Sequence, residues 1–135
     1  MMTVRLAKEV EVRVRRNPAT IANVTKVLAD KGLDLLAVQA CVEGGEAILR
    51  FVTDDNLRAV DALRERELSP VEREVVAVEV PHKPGMVRRI AEVLSAERIE
   101  LDHLYATAGD VERTSLVVLA TTNNDHALVS LRNAR

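Results

Sequence analysis

Apolar and polar residues alternate in two stretches of the chain that lie 66 residues apart. Residues 10–15 read VEVRVR, and residues 76–80 read VAVEV. An apolar residue at every second position is typical of a β-strand that buries one face. The pattern therefore predicts a strand at the start of each of two similar segments.

Directly after each predicted strand, the spacing of apolar residues changes to that of a helix. The segments NPATIANVTKVL and KPGMVRRIAEVL carry apolar residues at positions i, i+3 and i+7, which lie on one face of an α-helix. Pro18 and Pro84 suit the first helical turn, where an N–H group would have no intrahelical partner. Gly32 suits the left-handed residue that ends the first helix.

The two segments are copies of one repeat. An offset of 66 residues brings seven positions of like character into register: Pro18–Pro84, Ile21–Val87, Val24–Ile90, Val27–Val93, Leu28–Leu94, Leu33–Ile99 and Leu35–Leu101. An internal repeat predicts two units of one fold, and we expect these domains at 1–74 and 75–135. The copies differ at the turn, where the first has Ala19 and the second has Gly85.

Each repeat continues with two further strands and a second helix. We expect strands at 35–42 and 46–53, then at 101–108 and 112–121, with hairpins at Gly44-Gly45 and Gly109-Asp110. Asp and Asn residues at 54–56 and 123–125 supply N-caps for the second helix. With right-handed crossovers, this order predicts an α+β fold of two ferredoxin-like βαββαβ units, each an antiparallel sheet with both helices on one face.

The second repeat lacks the strand that would close its sheet. In the first repeat, a closing strand around 71–74 runs into 75–80 without a turn signal, whereas the second repeat ends after its second helix. An open sheet edge needs a cover. Because residues 3–8 continue the alternation through Val4 and Leu6, we expect them, or a second protomer, to supply the missing strand.

Composition narrows the classes of protein. The chain has 135 residues, of which 47% are hydrophobic, enough for a packed core. A net charge of -2 with both signs well mixed gives no electrostatic surface for nucleic acid or a membrane. The start of the chain lacks the apolar stretch of a signal peptide, and no run is long enough for a membrane span. We therefore expect a cytosolic protein in which Cys41, the single cysteine, is a small core residue.

The turn between the first strand and the first helix is the candidate binding site. A glycine after the proline lets the backbone approach a ligand, and a helix N-terminus offers unpaired N–H groups that suit a carboxylate. Asp34 and Glu100 lie at matching positions, one residue into the second strand of each repeat, where a carboxylate suits an ammonium group. A simple tight turn and two solvent-facing acids are the alternative interpretation. Together, the backbone donors and the acids describe a receptor for an amino acid.

Catalytic, metal and nucleic-acid sites find no support in the sequence. The histidines lie on different elements without the spacing of a helical metal site, and the serines fit no nucleophile motif. An RNA-recognition module shares this order of elements, but it needs aromatic residues on its central strands, and Phe51 alone cannot provide them. We therefore expect no enzyme, no metal, no cofactor and no nucleic-acid partner.

The duplicated turn and the acid near the second strand resemble the ACT domain, a small-molecule-binding regulatory module of amino-acid metabolism. Residues 78–106, VEVPHKPGMVRRIAEVLSAERIELDHLYA, are similar to its signature of a strand, a polar residue, Pro-Gly, a helix and a second strand. Residues 12–40, VRVRRNPATIANVTKVLADKGLDLLAVQA, are similar to a second copy. The resemblance covers nearly the whole chain and is strongest to the stand-alone tandem ACT proteins of bacteria.

The resemblance implies which residues contact the ligand. In the family, the amino acid binds in the turn region at an interface between ACT units, and the residue two before the proline and the residue at the start of the second strand often contact it. Both acids of this chain stand where asparagine is common in the family. Ala19 would crowd the first turn, so we expect the second turn to bind. The candidate ligand-binding residues are His82, Lys83, Pro84, Gly85, Met86 and Glu100 in the second repeat, and Arg16, Asn17 and Asp34 in the first.

The resemblance also implies a function. We expect a non-catalytic, allosteric regulatory protein, a homodimer that binds an amino acid and thereby shifts an assembly or partner equilibrium. One alternative is a regulatory subunit that docks to a biosynthetic enzyme, as the small subunit of acetohydroxyacid synthase does. A structural module without a ligand is a further alternative.

Overall fold

The structure is a computed structural model that describes residues 2–107 and 114–134. The predicted hairpin at Gly109-Asp110 lies outside the described residues. The strands are β1 (Thr3–Arg15), β2 (Leu35–Glu43), β3 (Glu46–Thr53), β4 (Val71–Pro81), β5 (Leu101–Ala106) and β6 (Thr114–Thr121). The helices are α1 (Pro18–Asp30), α2 (Asn56–Glu65), α3 (Met86–Ala96) and α4 (Asn124–Asn133).

The chain forms two compact units. The first unit is Lys8–Arg73, and the second unit is Met1–Ala7 together with Glu74–Arg135. The expected division at 74 and 75 placed residues 1–7 in the first repeat, whereas the structure groups them with the second unit. This difference arises because β1 and β4 are long strands, and each contributes residues to both units.

In the first unit, β3 lies between β2 and β1, and the pairings are antiparallel. The side chains on one face of this sheet pack against α1 and α2, as the alternation predicts. β4 follows β1 in the strand order, and its residues up to Arg73 belong to this unit. Core side chains that are almost fully buried include Val10, Val12, Val24, Leu28, Phe51 and Leu63.

In the second unit, β6 lies between β5 and β4, again with antiparallel pairing. The first residues of β1 complete this unit: Val4 is 5% exposed and packs in the same core as Ile90 and Leu131. Arg132 of α4 holds this segment, since its Nε donates to the Val4 carbonyl oxygen at 3.0 Å. The prediction that residues 3–8 supply the missing strand is confirmed, and so is the α+β arrangement of two ferredoxin-like units.

The second helix of each unit begins in the same way. The Asp55 side chain accepts from Arg58 N at 3.2 Å, and the Asn123 side chain accepts from His126 N at 3.0 Å. The next residue is an asparagine in both units, and its Nδ2 donates to the first strand of the unit, at Lys8 O or Glu74 O. The predicted N-caps are therefore confirmed.

Two sequence-based expectations about the sheets differ from the structure. Alternation placed Glu11 on a polar outer face, yet Glu9 is 0% exposed and Glu11 is 6% exposed. Cys41 was expected in the core, and it is instead half-buried, with its Sγ accepting from Arg50 Nη1 at 3.5 Å. Strand alternation assigns faces correctly, but it does not reveal which outer faces become covered.

Within residues 2–107 and 114–134, no helix combines the length and the apolar character needed to cross a membrane.

Candidate functional site

The turn before α3 is built around Gly85. Gly85 is the N-cap residue of α3 and has a φ of 90°, in the left-handed region that L side chains rarely adopt. No side chain caps the first turn of α3 among the described residues, and the helix begins with the bond from Arg89 N to the Gly85 carbonyl oxygen at 3.0 Å. The N-terminus of α3 therefore presents N–H groups and a positive dipole end.

The matching turn in the first unit is closed by its own side chains. Asn17 is the N-cap of α1, and its Oδ1 accepts from Ala19 N at 2.9 Å. Thr20 Oγ1 donates to the carbonyl oxygens of Arg15 and Asn17. The first residue of this helix is Pro18, as predicted, and it has no N–H to offer.

The two turns therefore begin their helices at different positions of the repeat. Met86, where α3 begins, is equivalent to Thr20, two residues after the start of α1. The prediction that Pro84 lies in the first helical turn is wrong, because the chain takes the left-handed conformation at Gly85 before the helix begins. Asn17 supplies the cap that allows the earlier start in the first unit.

A cleft of about 370 Å³ lies beside the second turn, entirely within the second unit. Its volume falls in the range of small-molecule sites. Turn residues form one side of this α3 cleft, and residues of β5, β6 and the segment after β5 form the other. Its lining residues include His82, Lys83, Gly85, Met86, Arg88, Thr107 and Ser115.

His82 is held toward β6 by Ser115, since His82 Nδ1 and Ser115 Oγ are 2.9 Å apart. Ser115 is 6% exposed and lies opposite Val80 in the β4–β6 pairing. Sequence reasoning missed Ser115, Thr107 and Arg88 as cleft residues. A serine inside the apolar strand TSLVVLAT is the signal that points to Ser115.

The charged side chains that line the α3 cleft are both cationic. They are Lys83 and Arg88, and no aspartate or glutamate is among the described lining residues. Arg88 is already paired with Glu92 along the helix, at 2.6 Å between Nε and Oε1. Together with the N-terminus of α3, these charges favour an anionic group.

The structure does not bring the two predicted acids to the turns of their own units. Asp34 and Glu100 are exposed and lie immediately before β2 and β5, rather than one residue into those strands. Their backbone N–H groups are held by Asp54 Oδ1 at 3.1 Å and Thr122 Oγ1 at 3.3 Å. The eleven residues of α3 span about 16 Å at the helical rise. Glu100 therefore lies a helix length away from Gly85.

A larger cleft, of about 680 Å³, lies in the first unit, and it does not contain the predicted turn residues Arg16 and Asn17. Cationic and acidic residues both line it, and Lys26 Nζ and Asp30 Oδ2 form an ion pair there at 2.6 Å. Size alone therefore does not identify the site. Among the described residues, the α3 cleft is distinguished by a helix terminus without a side-chain cap and by charged lining residues that are all cationic.

An ion cluster on the sheet of the first unit has a structural role. Glu11 Oε2 lies 3.1 Å from Arg50 Nε and 3.3 Å from Arg73 Nε, and Glu9 Oε1 lies 3.9 Å from Arg50 Nε. Burial lowers the pKa of the Arg50 guanidinium, but the hydrogen bond and charge of Glu11, with a contribution from Cys41, outweigh burial and raise that pKa above the ordinary arginine value. Arg50 thus stays charged beside the two buried carboxylates, and Arg73 supplies a second cation to Glu11.

Among residues 2–107 and 114–134, no group of three or more His, Cys, Asp or Glu residues is placed to hold a metal ion.

Comparison with solved structures finds the same fold in bacterial proteins. A protein of Bacteroides thetaiotaomicron superposes with a TM-score of 0.85 and 25% sequence identity, covering 96% of this chain and 88% of that chain. The ligand-free regulatory subunit of aspartate kinase from Thermus thermophilus gives a TM-score of 0.66 at 16% identity, covering 97% and 95%. The regulatory subunit from Thermus flavus gives 0.64 at 16% identity, covering 98% and 95%. A search of curated proteins returns no match.

The sequence itself settles the family. The sequence model of the family described as an ACT domain pair matches residues 2–133, which is nearly the whole chain and includes both turns and both predicted acids. The chain therefore belongs to the ACT-domain family and carries a pair of these domains.

Proposed function

We propose that this ACT domain pair is a non-catalytic regulatory protein that binds the carboxylate of an amino acid in the α3 cleft. The observation that carries the proposal is the contrast between the two turns. The Asn17 side chain caps α1, whereas within residues 2–107 and 114–134 no side chain caps the first turn of α3, whose N-cap residue is Gly85. An open helix N-terminus inside a small cationic cleft suits a carboxylate.

In this proposal the turn backbone from Lys83 to Met86 donates to the ligand carboxylate, and His82 contributes a polar contact beside it. The ligand's ammonium group needs an acid, and the α3 cleft has none among its described lining residues. Because Glu100 lies a helix length from the turn of its own unit, we propose that Glu100 or Asp34 of a second copy of the chain meets the amine. The first turn, with Arg16 and Asn17, is proposed to stay closed.

The proposed consequence of binding is a shift in an assembly equilibrium or in affinity for a catalytic partner in the cytoplasm. Two of the structural neighbours are regulatory subunits of aspartate kinase. Those names state the function of those proteins and not of this chain. For this chain, docking to a biosynthetic enzyme is a proposal that a pull-down from the native cytosol tests. If the pull-down recovers the same enzyme whether or not the amino acid is present, then docking does not require the ligand.

A thermal-shift screen of the amino acids tests the ligand site. A ligand that binds only the folded chain at 100 times its Kd raises the free energy of unfolding by about 2.7 kcal/mol. We expect Gly85→Val to lose the shift and Ala19→Val to retain it. Gly32→Val is the matched control, since Gly32 also has a left-handed φ, of 70°, and lies outside the α3 cleft. No shift with any amino acid would contradict the proposal.

A further inference from the structure

The larger cleft of the first unit lies along the end of β1. It has a volume of about 680 Å³, within the range of small-molecule sites, and its described lining residues all belong to the unit Lys8–Arg73. Arg13, Val14 and Arg15 all line it, although successive residues of a strand point to opposite faces of the sheet. The cleft therefore opens at the edge of β1 and not over one face. We call it the α1 cleft, because residues of α1 line much of it.

The α1 cleft has an apolar base. Val14 and Val24 are 7% and 1% exposed, and Val27 and Leu68 are partly buried against the same hydrophobic core. All of these residues line the cleft. An aliphatic ligand that covers the remaining apolar surface of Val27 and Leu68 is favoured, because that surface then leaves water.

Cationic residues outnumber acids in the α1 cleft, although the whole chain has a net charge of -2. The charged lining residues are the cations Arg13, Arg15, Lys26 and Arg66 and the acids Asp30 and Glu46. Asp30 Oδ2 lies 2.6 Å from Lys26 Nζ. Glu46 lies opposite Arg15 in the β1–β3 pairing. The cleft therefore favours an anion, and both acids among its described lining residues already have a cation beside them.

Arg66 is the cation of the α1 cleft that is free to bind. Among the described residues, its guanidinium takes part in no hydrogen bond or ion pair. Ala134 occupies the equivalent position of the second unit, because both residues lie equally far beyond the N-caps Asp55 and Asn123. The repeat therefore folds without a cation at this position, and Arg66 is a feature of the first unit alone.

We propose that the α1 cleft binds an organic anion that has an aliphatic body and no ammonium group. Arg66 binds the anionic group, which is a carboxylate or a phosphate, since a guanidinium donates two parallel hydrogen bonds to either. The aliphatic body covers Val27 and Leu68. The α1 cleft shares no described lining residue with the α3 cleft, so this inference does not depend on the proposed amino-acid ligand.

Titration of the natural chain with hexanoate and with hexyl phosphate, followed by amide NMR, tests this site. At least one probe should shift the amide signals of Val27 and Leu68, and the tighter probe shows which anionic group the cleft prefers. Norleucine is hexanoate with an added ammonium group, and inorganic phosphate is hexyl phosphate without its aliphatic body. Each should bind at these signals at least about tenfold more weakly than its parent probe.

A pair of arginine variants identifies the binding group. Arg66→Ala should weaken the tighter probe at least about tenfold, because it removes a charge-assisted hydrogen bond. Arg64→Ala is the matched control, since Arg64 is an exposed arginine in the last turn of α2 and is not a described lining residue of the cleft. It should leave binding unchanged, and far-UV circular dichroism should show both variants folded.

Three results would overturn the proposal. One is that neither probe shifts the signals of Val27 and Leu68. Another is that Arg66→Ala binds as tightly as the natural chain, or that Arg64→Ala weakens binding equally, because the effect would then not be specific to the cleft. The third is that norleucine binds at these signals as tightly as hexanoate, because the cleft would then accept an ammonium group.

Discussion

At the scale of single residues, the two turns show how one repeat can be adapted in two ways. The Asn17 side chain accepts a hydrogen bond from the first turn of α1. Gly85 has no side chain, and it adopts a left-handed conformation before α3. The sequence difference between Ala19 and Gly85 marks this change. The residues that cap a helix therefore decide whether its N-terminus is available to a ligand.

Replacing the cap of α1 should destabilise the first unit. Asn17→Ala removes the acceptor for Ala19 N, and we expect the free energy of unfolding to fall by about 1 kcal/mol. Urea denaturation measures this change. Arg16→Ala, at the neighbouring exposed position, should change stability by less than about 0.5 kcal/mol. An Asn17→Ala variant as stable as the natural chain would contradict the capping role.

Glycine at Arg98, two residues after the end of α3, should raise the stability of the second unit. Arg98 has a φ of 56° at the position where the first unit has Gly32, and a non-glycine residue in this region costs about 1 kcal/mol. We expect Arg98→Gly to raise the free energy of unfolding by up to that amount. Gly32→Ala should lower it by a similar amount, and the same denaturation experiment compares both. A loss of stability in Arg98→Gly would show that its side chain contributes more than its backbone costs.

Removing the guanidinium of Arg50 should lower the free energy of unfolding far more than the substitutions at Asn17 and Gly32. Arg50→Met leaves the buried carboxylates of Glu9 and Glu11 without their shared cation, and breaking a buried ion cluster in this way costs about 3 kcal/mol or more. Because the folded-state pKa of Arg50 is raised, its contribution is present below the ordinary arginine pKa and is lost only above it. Urea midpoints at neutral pH should show the loss, while Arg13→Met, at an exposed ion pair, should cost less than about 1 kcal/mol.

At the scale of elements, β1 contributes to both units, and its first residues complete the second one. Val4→Ala should reduce the free energy of unfolding by about 2 kcal/mol, since a buried side chain loses its packing with Ile90 and Leu131. Arg5→Ala, on the exposed side of the same segment, should have little effect. Equal stabilities of the two variants would indicate that residues before Lys8 do not support the second unit.

Local sequence patterns predicted most of these elements. The N-caps at Asp55 and Asn123, the hairpin at Gly44-Gly45 and the continuous strand β4 follow from chemistry within a few residues. Pro84 was placed wrongly because the proline pattern fits both the first helical turn and the residue before a left-handed N-cap. The buried Glu9 was not foreseen either, since its burial depends on contacts that alternation does not encode.

At the scale of the whole molecule, the sequence located the candidate site but not its composition. The prediction grouped residues 82–86 because they are consecutive and because the same turn occurs in both repeats. Ser115 joins them only through the β4–β6 pairing, which brings together residues more than thirty positions apart. Glu100 was grouped with the turn by its place in the motif, whereas the length of α3 separates them.

The central claim is that one open turn per chain binds a carboxylate ligand. Isothermal titration of the natural chain with the amino acid selected by the thermal-shift screen tests this most directly. We predict one ligand per chain, loss of binding in Gly85→Ala, and unchanged stoichiometry in Gly32→Ala, which carries comparable backbone strain at φ 70°. Two ligands per chain, or undiminished binding by Gly85→Ala, would contradict the account.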